Sequence, residues 1–168
     1  ELDRQAYESS NFNNSDSSIE IIESISPSKE FIIISHGFAG SKEMMRQIAY
    51  DIANAGSNAV LFDFIGHGSN QQKLVNQPAE ITGTTQQLVA QLSDIIKSIY
   101  KKFGNDISIS LVGHSMASDI VIRASADERI KSVVAISPYS TGITPDFPKD
   151  LLLISGQFEN HLRSHALK

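Results

Sequence analysis

Ile107-Ser108-Ile109-Ser110-Leu111-Val112-Gly113-His114-Ser115-Met116-Ala117-Ser118 is the stretch on which the reading of this chain turns. An apolar run ends at Val112, a Gly-x-Ser-x-small sequence follows, and Ser115 to about Ala126 has the spacing of a helix. A serine on a sharp strand-to-helix turn is held in a strained backbone geometry that exposes its hydroxyl. Small residues at Gly113 and Ala117 suit the close approach of strand and helix there. The helix N-terminus also sets free N–H groups and the positive end of the dipole beside the hydroxyl, where negative charge would develop. Taken alone, the pattern also fits a serine N-cap after a tight turn, so discrimination falls to the rest of the chain.

On either side, short apolar runs alternate with helical spacing. Ile19, Ile21 and Ile22 predict a strand, Ser26-Pro27-Ser28 a turn, and Phe31-Ile32-Ile33-Ile34 a second strand. The short link predicts that these two pair antiparallel. Ser41 is the expected cap of a helix to about Asn54, whose Met45, Ile48, Ala49, Ile52 and Ala53 share one face, with Gly56 as its stop. Ala59 to Phe62 is the third strand. A longer helix follows, with Leu88, Leu92, Ile95, Ile96, Ile99 and Phe103 on one stripe and Gly104 after it. Ile107 to Val112, Val133 to Ile136 and Leu151 to Ile154 complete the strands. Such alternation predicts an α/β fold: a mostly parallel sheet with helices on both faces, and a site at the carboxyl ends of the strands.

Composition narrows the function classes. The 168 residues suit one domain, and 40% hydrophobic with 20% charged is ordinary globular usage. A net charge of -5 is the wrong sign for a nucleic-acid footprint. No cysteine is present, which removes disulfides, thiolate metal ligands and a cysteine nucleophile together, and leaves the compartment open. No apolar run has the length of a membrane span, so a soluble chain, with the cytoplasm as the favoured compartment, is expected. The chain opens on Glu1, so a processed or excised piece is expected. Residues 1–18 are polar and rich in Ser and Asn, and read as a loose lead-in to a domain over 19–168.

The strand ends carry the chemistry. Ser35-His36-Gly37-Phe38-Ala39-Gly40 follows the second strand, Asp63-Phe64-Ile65-Gly66-His67-Gly68 the third, and Gly156-Gln157-Phe158-Glu159 the last. A loop at His36-Gly37-Phe38 is placed so that the N–H of Phe38 and the N–H of Met116 converge on one oxyanion. With these residues in this chain order, the sequence from about Ile19 to about Leu162 resembles the α/β-hydrolase superfamily. The resemblance implies Ser115 as nucleophile, Phe38 and Met116 as backbone oxyanion donors, and Glu159 as the acid. It implies that Asp63 and Gly66-His67-Gly68 shape the pocket, with His36, Gly37, His67, His114 and Tyr139 lining it. Ala117 departs from the commoner glycine at its position.

The larger departure concerns the base. The family order is serine, acid, histidine, with a helix and a strand before the histidine, and only nine residues follow Glu159 here. His36, His67 and His114 read as structural hydrogen-bonding residues. His161 and His165 would serve only if the C-terminal segment folded back over Ser115, so the triad histidine is expected beyond Lys168. The implied function is a serine hydrolase of carboxylic esters or thioesters, acting through an acyl-enzyme on a small acyl substrate without metal or cofactor. The alternative is a non-catalytic hydrolase-like binding domain, or an inactive fragment lacking the triad histidine. The short stretch between Ile136 and Leu151 leaves no room for an inserted lid, and the sheet edge at Leu151 to Ile154 offers a route to a homodimer.

Overall fold

A computed structural model describes residues 9–14, 17–74, 83–138, 148 and 150–159. Its elements are β1 (Ser9–Asn14), β2 (Ser17–Ile22), β3 (Glu30–Ser35), a 3-10 turn (Lys42–Met45), α1 (Arg46–Asn54), β4 (Asn58–Phe62), α2 (Gly83–Phe103), β5 (Ser108–His114), α3 (Met116–Ala124), β6 (Ile130–Ile136) and β7 (Leu151–Ile154). They form one seven-stranded sheet in the order β1-β2-β4-β3-β5-β6-β7. The strands from β4 through β7 run parallel, as the alternation of strand and helix predicts.

The sheet buries both faces. On one, Ile33, Phe62, Ile109, Leu111 and Val133 meet Leu88, Leu92, Ile95 and Ile96 of α2 and Ile120 and Val121 of α3. On the other, Ile34, Ala59, Leu61 and Val112 meet Met45, Ala49 and Ala53, the expected stripe of α1. Glu20 of β2 is also buried, and both of its carboxylate oxygens accept from Arg46 of α1, at 2.7 and 2.8 Å.

Two expectations are corrected. The Ile19–Ile22 strand does run antiparallel, but against β4 and not against β3. Asn58, at the start of β4, explains why. Its Oδ1 accepts from the Ser24 N–H, and its Nδ2 donates to the carbonyls of Ser28 and Glu30, so the link from β2 to β3 is pinned across the amino end of β4. The polar lead-in, in turn, contains a strand: Ser9–Asn14 pairs antiparallel with β2. Ladder hydrogen bonds belong to the backbone, so a buried apolar strand can recruit a polar neighbour.

The ends of the elements shift slightly. β5 continues to His114 because its parallel pairing with β6 persists through Gly113 and His114. α3 stops at Ala124, where the Ser125 hydroxyl donates to the carbonyl of Ile122. Ser41 precedes a 3-10 turn without a side-chain capping bond. Among the described residues, no helix is long and apolar enough to cross a membrane.

Candidate active site

The β5–α3 turn has the geometry its sequence demands. Ser115 lies at φ 54° and ψ −117°, a left-handed backbone that costs a non-glycine residue about 1–3 kcal/mol and persists only where the surroundings impose it. The surroundings are visible. The Ser115 N–H donates to the carbonyl of Ile136 at 2.8 Å, and the Ser115 carbonyl accepts from the N–H and the hydroxyl of Ser118. Gly113 is obligatory, since a Cβ there would stand 2.4 Å from the Ala117 carbonyl oxygen. Met116 is the first residue of α3, so its N–H is one of the free donors of that helix N-terminus.

The loop after β3 rests directly on this turn. A Cβ on Gly37 would lie 3.1 Å from His114 Nδ1 and 3.2 Å from Ser115 Cβ. Gly40 donates its N–H to the Gly37 carbonyl, Ala39 takes a left-handed φ of 56°, and Phe38 projects outward, largely exposed. Phe38 and Met116 are therefore carried by segments that meet around Ser115.

His36 is fully buried beneath this loop. Its Nδ1 carries the proton and donates to the Gly37 carbonyl at 2.8 Å, and its Nε2 accepts from the Phe64 N–H at 3.1 Å. Both ring nitrogens are thus committed, and the ring ties the β3 loop to the β4 loop as a neutral imidazole. Burial, with His67 acting in the same direction, pushes its pKa below the ordinary value, against the opposing effects of the Gly37 carbonyl and Asp63. His67 donates from Nδ1 to the Ile65 carbonyl and packs against the rings of His36 and Phe38.

Asp63 organises the β4 loop. Burial alone would raise its pKa, but the N–H groups of Lys42 and Ser69 and the Ser69 hydroxyl all donate to its carboxylate and hold the net shift downward. Gly68 packs so closely on it that a Cβ would fall 2.2 Å from Asp63 Oδ1. Asp63 is spent on loop architecture.

Glu159 lies beyond β7, half-buried. Its carboxylate accepts from the Gly156 N–H at 2.7 Å and from the Ser137 hydroxyl, whose Oγ is 2.9 Å from each oxygen. Those two donors, and then the nearby His114, hold the carboxyl below its ordinary range. His114 is half-buried between Gly37 and the field of Glu159. Tyr139, His161 and His165 lie outside the described residues. Among the described residues, no group of three or more His, Asp or Glu is placed to hold a metal ion.

Three contributors escape a reading by motif. Gln91 of α2 accepts from the Ile65 N–H and donates to the Asp63 carbonyl, which also accepts from Asn70. Ser137 holds Glu159. Gln91 did carry a signal: it falls three residues after Leu88, a polar residue on the apolar stripe.

Comparison with known proteins agrees with the fold. The sequence pattern of the family described as serine aminopeptidase, S33, matches residues 26–166. No curated protein matches the chain. Among solved structures, a thermostable carboxyl esterase from Bacillus coagulans superposes with a TM-score of 0.63 at 16% identity, covering 81% of this chain and 46% of the esterase. A Pyrococcus furiosus esterase gives 0.63 at 23% identity, over 79% of this chain and 52% of that one. A Xanthomonas campestris serine hydrolase described as lacking a lid gives 0.67 at 14% identity, over 89% and 70%. The chain therefore spans about half the length of the two esterases.

Proposed function

From the premise that this chain belongs to the serine aminopeptidase S33 family of α/β hydrolases, we propose that it is a serine hydrolase of carboxylic esters or thioesters that forms an acyl-enzyme at Ser115. The observation that carries this reading is the left-handed backbone of Ser115 at the mouth of α3, with Gly37 packed against it.

In this mechanism the Ser115 hydroxyl attacks the acyl carbonyl as its proton passes to a histidine outside the described residues. His36 is unsuited to that task because both of its nitrogens are engaged. The carbonyl oxygen becomes an oxyanion facing the N–H groups of Phe38 and Met116, and each such donor is worth about 2.7–4 kcal/mol. The protonated histidine returns its proton to the departing alcohol or thiol. Water then attacks the acyl-serine and regenerates the hydroxyl. Glu159 orients the imidazole and stabilises its charged form. The esterases among the structural neighbours support acyl-ester chemistry.

A p-nitrophenyl ester series of rising acyl length, paired with a fluorophosphonate probe and mass spectrometry, tests this. Ester turnover with one covalent adduct on Ser115 is expected, and Ser115→Ala should lower turnover by at least about a thousandfold and abolish the adduct. Turnover unchanged in Ser115→Ala would overturn the assignment. No adduct at all would favour a binding role for the domain.

A further inference from the structure

Two serines occupy matching positions on neighbouring parallel strands. Ser115 follows β5 at φ 54°, and its N–H donates to the carbonyl of Ile136, the last residue of β6. Ser137 follows β6 at φ 50°, and its N–H donates at 2.7 Å to the carbonyl of Ile154, the last residue of β7. The sheet thus ends in a staircase of two left-handed serines, each hung from the next strand. Ile136 and Ser137 are consecutive, so the residue holding the Ser115 backbone is bonded directly to the one holding β7. Ser137 is buried, and its hydroxyl straddles both oxygens of Glu159.

We propose that Ser137 is a positioning residue, which fixes the Glu159 carboxylate relative to Ser115 through its hydroxyl and its left-handed backbone. The proposal rests on the hydrolase reading for its functional meaning, and on geometry for its physical content. Glu159 follows β7 on a largely exposed loop, with Phe158 beside it 90% exposed, and its carboxylate is gripped by the Gly156 N–H and the Ser137 hydroxyl. Its orientation therefore depends on hydrogen bonds. The Gly156 N–H reaches it from its own loop, so that bond travels with the loop. Ser137 is the partner that anchors the carboxylate to the sheet from another element. Among the described residues, the ionisable side chain acting on it is His114, from the end of β5.

The test reads Glu159 directly, by following its side-chain carboxyl carbon through a pH titration by NMR in the wild-type chain, Ser137→Ala and Ser137→Gly. A hydrogen bond to the charged carboxylate favours ionisation, so the Glu159 midpoint is expected to move up in both variants, which lack the hydroxyl. Glycine tolerates the left-handed φ and guards against an alanine variant that fails to fold. In ester turnover, loss of the hydroxyl is expected to lower kcat by roughly tenfold to a hundredfold with KM unchanged. A Glu159 midpoint that stays put in both Ser137→Gly and Ser137→Ala would overturn the proposal. The titration needs no turnover, so failure of the hydrolase reading and failure of this one are told apart.

Discussion

Ser115 and Glu159 stand at the ends of strands with very different support. β5 lies between β3 and β6 and is covered by α2 and α3, with Ile109 and Leu111 wholly buried. Among the described residues β7 pairs only with β6, and Leu152, Leu153 and Ile154 are 55%, 37% and 44% exposed. The serine is therefore placed by close packing, and the carboxylate by hydrogen bonds. One half of the candidate site is rigid because displacing it would break a core. The other is held by two donors on the carboxylate, the N–H of Gly156 and the hydroxyl of Ser137, while the N–H of Ser137 ties down the end of β7 through the Ile154 carbonyl.

The strongest way to break this contrast is Gly113→Val. Any side chain there meets the Ala117 carbonyl and Val121, and backbone cannot yield as a side-chain tip can. A loss of more than about 4 kcal/mol, or failure to fold, is expected in urea denaturation. Next in size is a matched pair of truncations. Leu111→Ala empties a buried site and should cost about 2–5 kcal/mol. Leu153→Ala, on the exposed strand, should change stability by less than about 1 kcal/mol. Equal losses in the two variants would erase the distinction between the halves.

The smallest effect is one of pH, and it probes the polar joint inside the packed half. Burial depresses the pKa of His36 in the folded protein below its ordinary 6.5. As pH falls past 6.5 the unfolded chain takes up a proton that the folded one refuses, so the unfolded state gains. Stability present above pH 6.5 should thus decline as pH drops toward the lower folded value. His36→Gln should flatten that part of the stability–pH curve, measured by thermal melts from pH 7.5 downward. An unchanged slope would mean that His36 is not held neutral by the fold.

How much of this could be read beforehand follows from the range of the forces involved. The Gly113-His114-Ser115-Met116-Ala117 turn was legible because it depends on backbone sterics within five residues. The stripes of α1 and α2 were legible because helical spacing alone sorts Ala49 and Ala53, or Leu88 and Leu92, onto one face. The partner of β2 was not, because a seven-residue link between strands suits a hairpin equally well, and the deciding contact comes from Asn58, more than thirty residues away from Ser24. β1 was missed because polar composition says little about backbone pairing. Ser137 carries no signal of its own, since a serine before a proline reads as an ordinary turn residue.

From its sequence alone, this chain is an α/β protein whose chemistry gathers at the strand ends around Ser115, because alternation, glycine placement and the strand-to-helix turn are local matters of steric fit. Only the tertiary structure decided which strands became neighbours, that His36 has no free nitrogen, and that Glu159 hangs from Ser137. Those outcomes rest on hydrogen bonds between segments 22 to 34 residues apart, whose partners are chosen by the packing of the whole sheet and not by any neighbour in the chain.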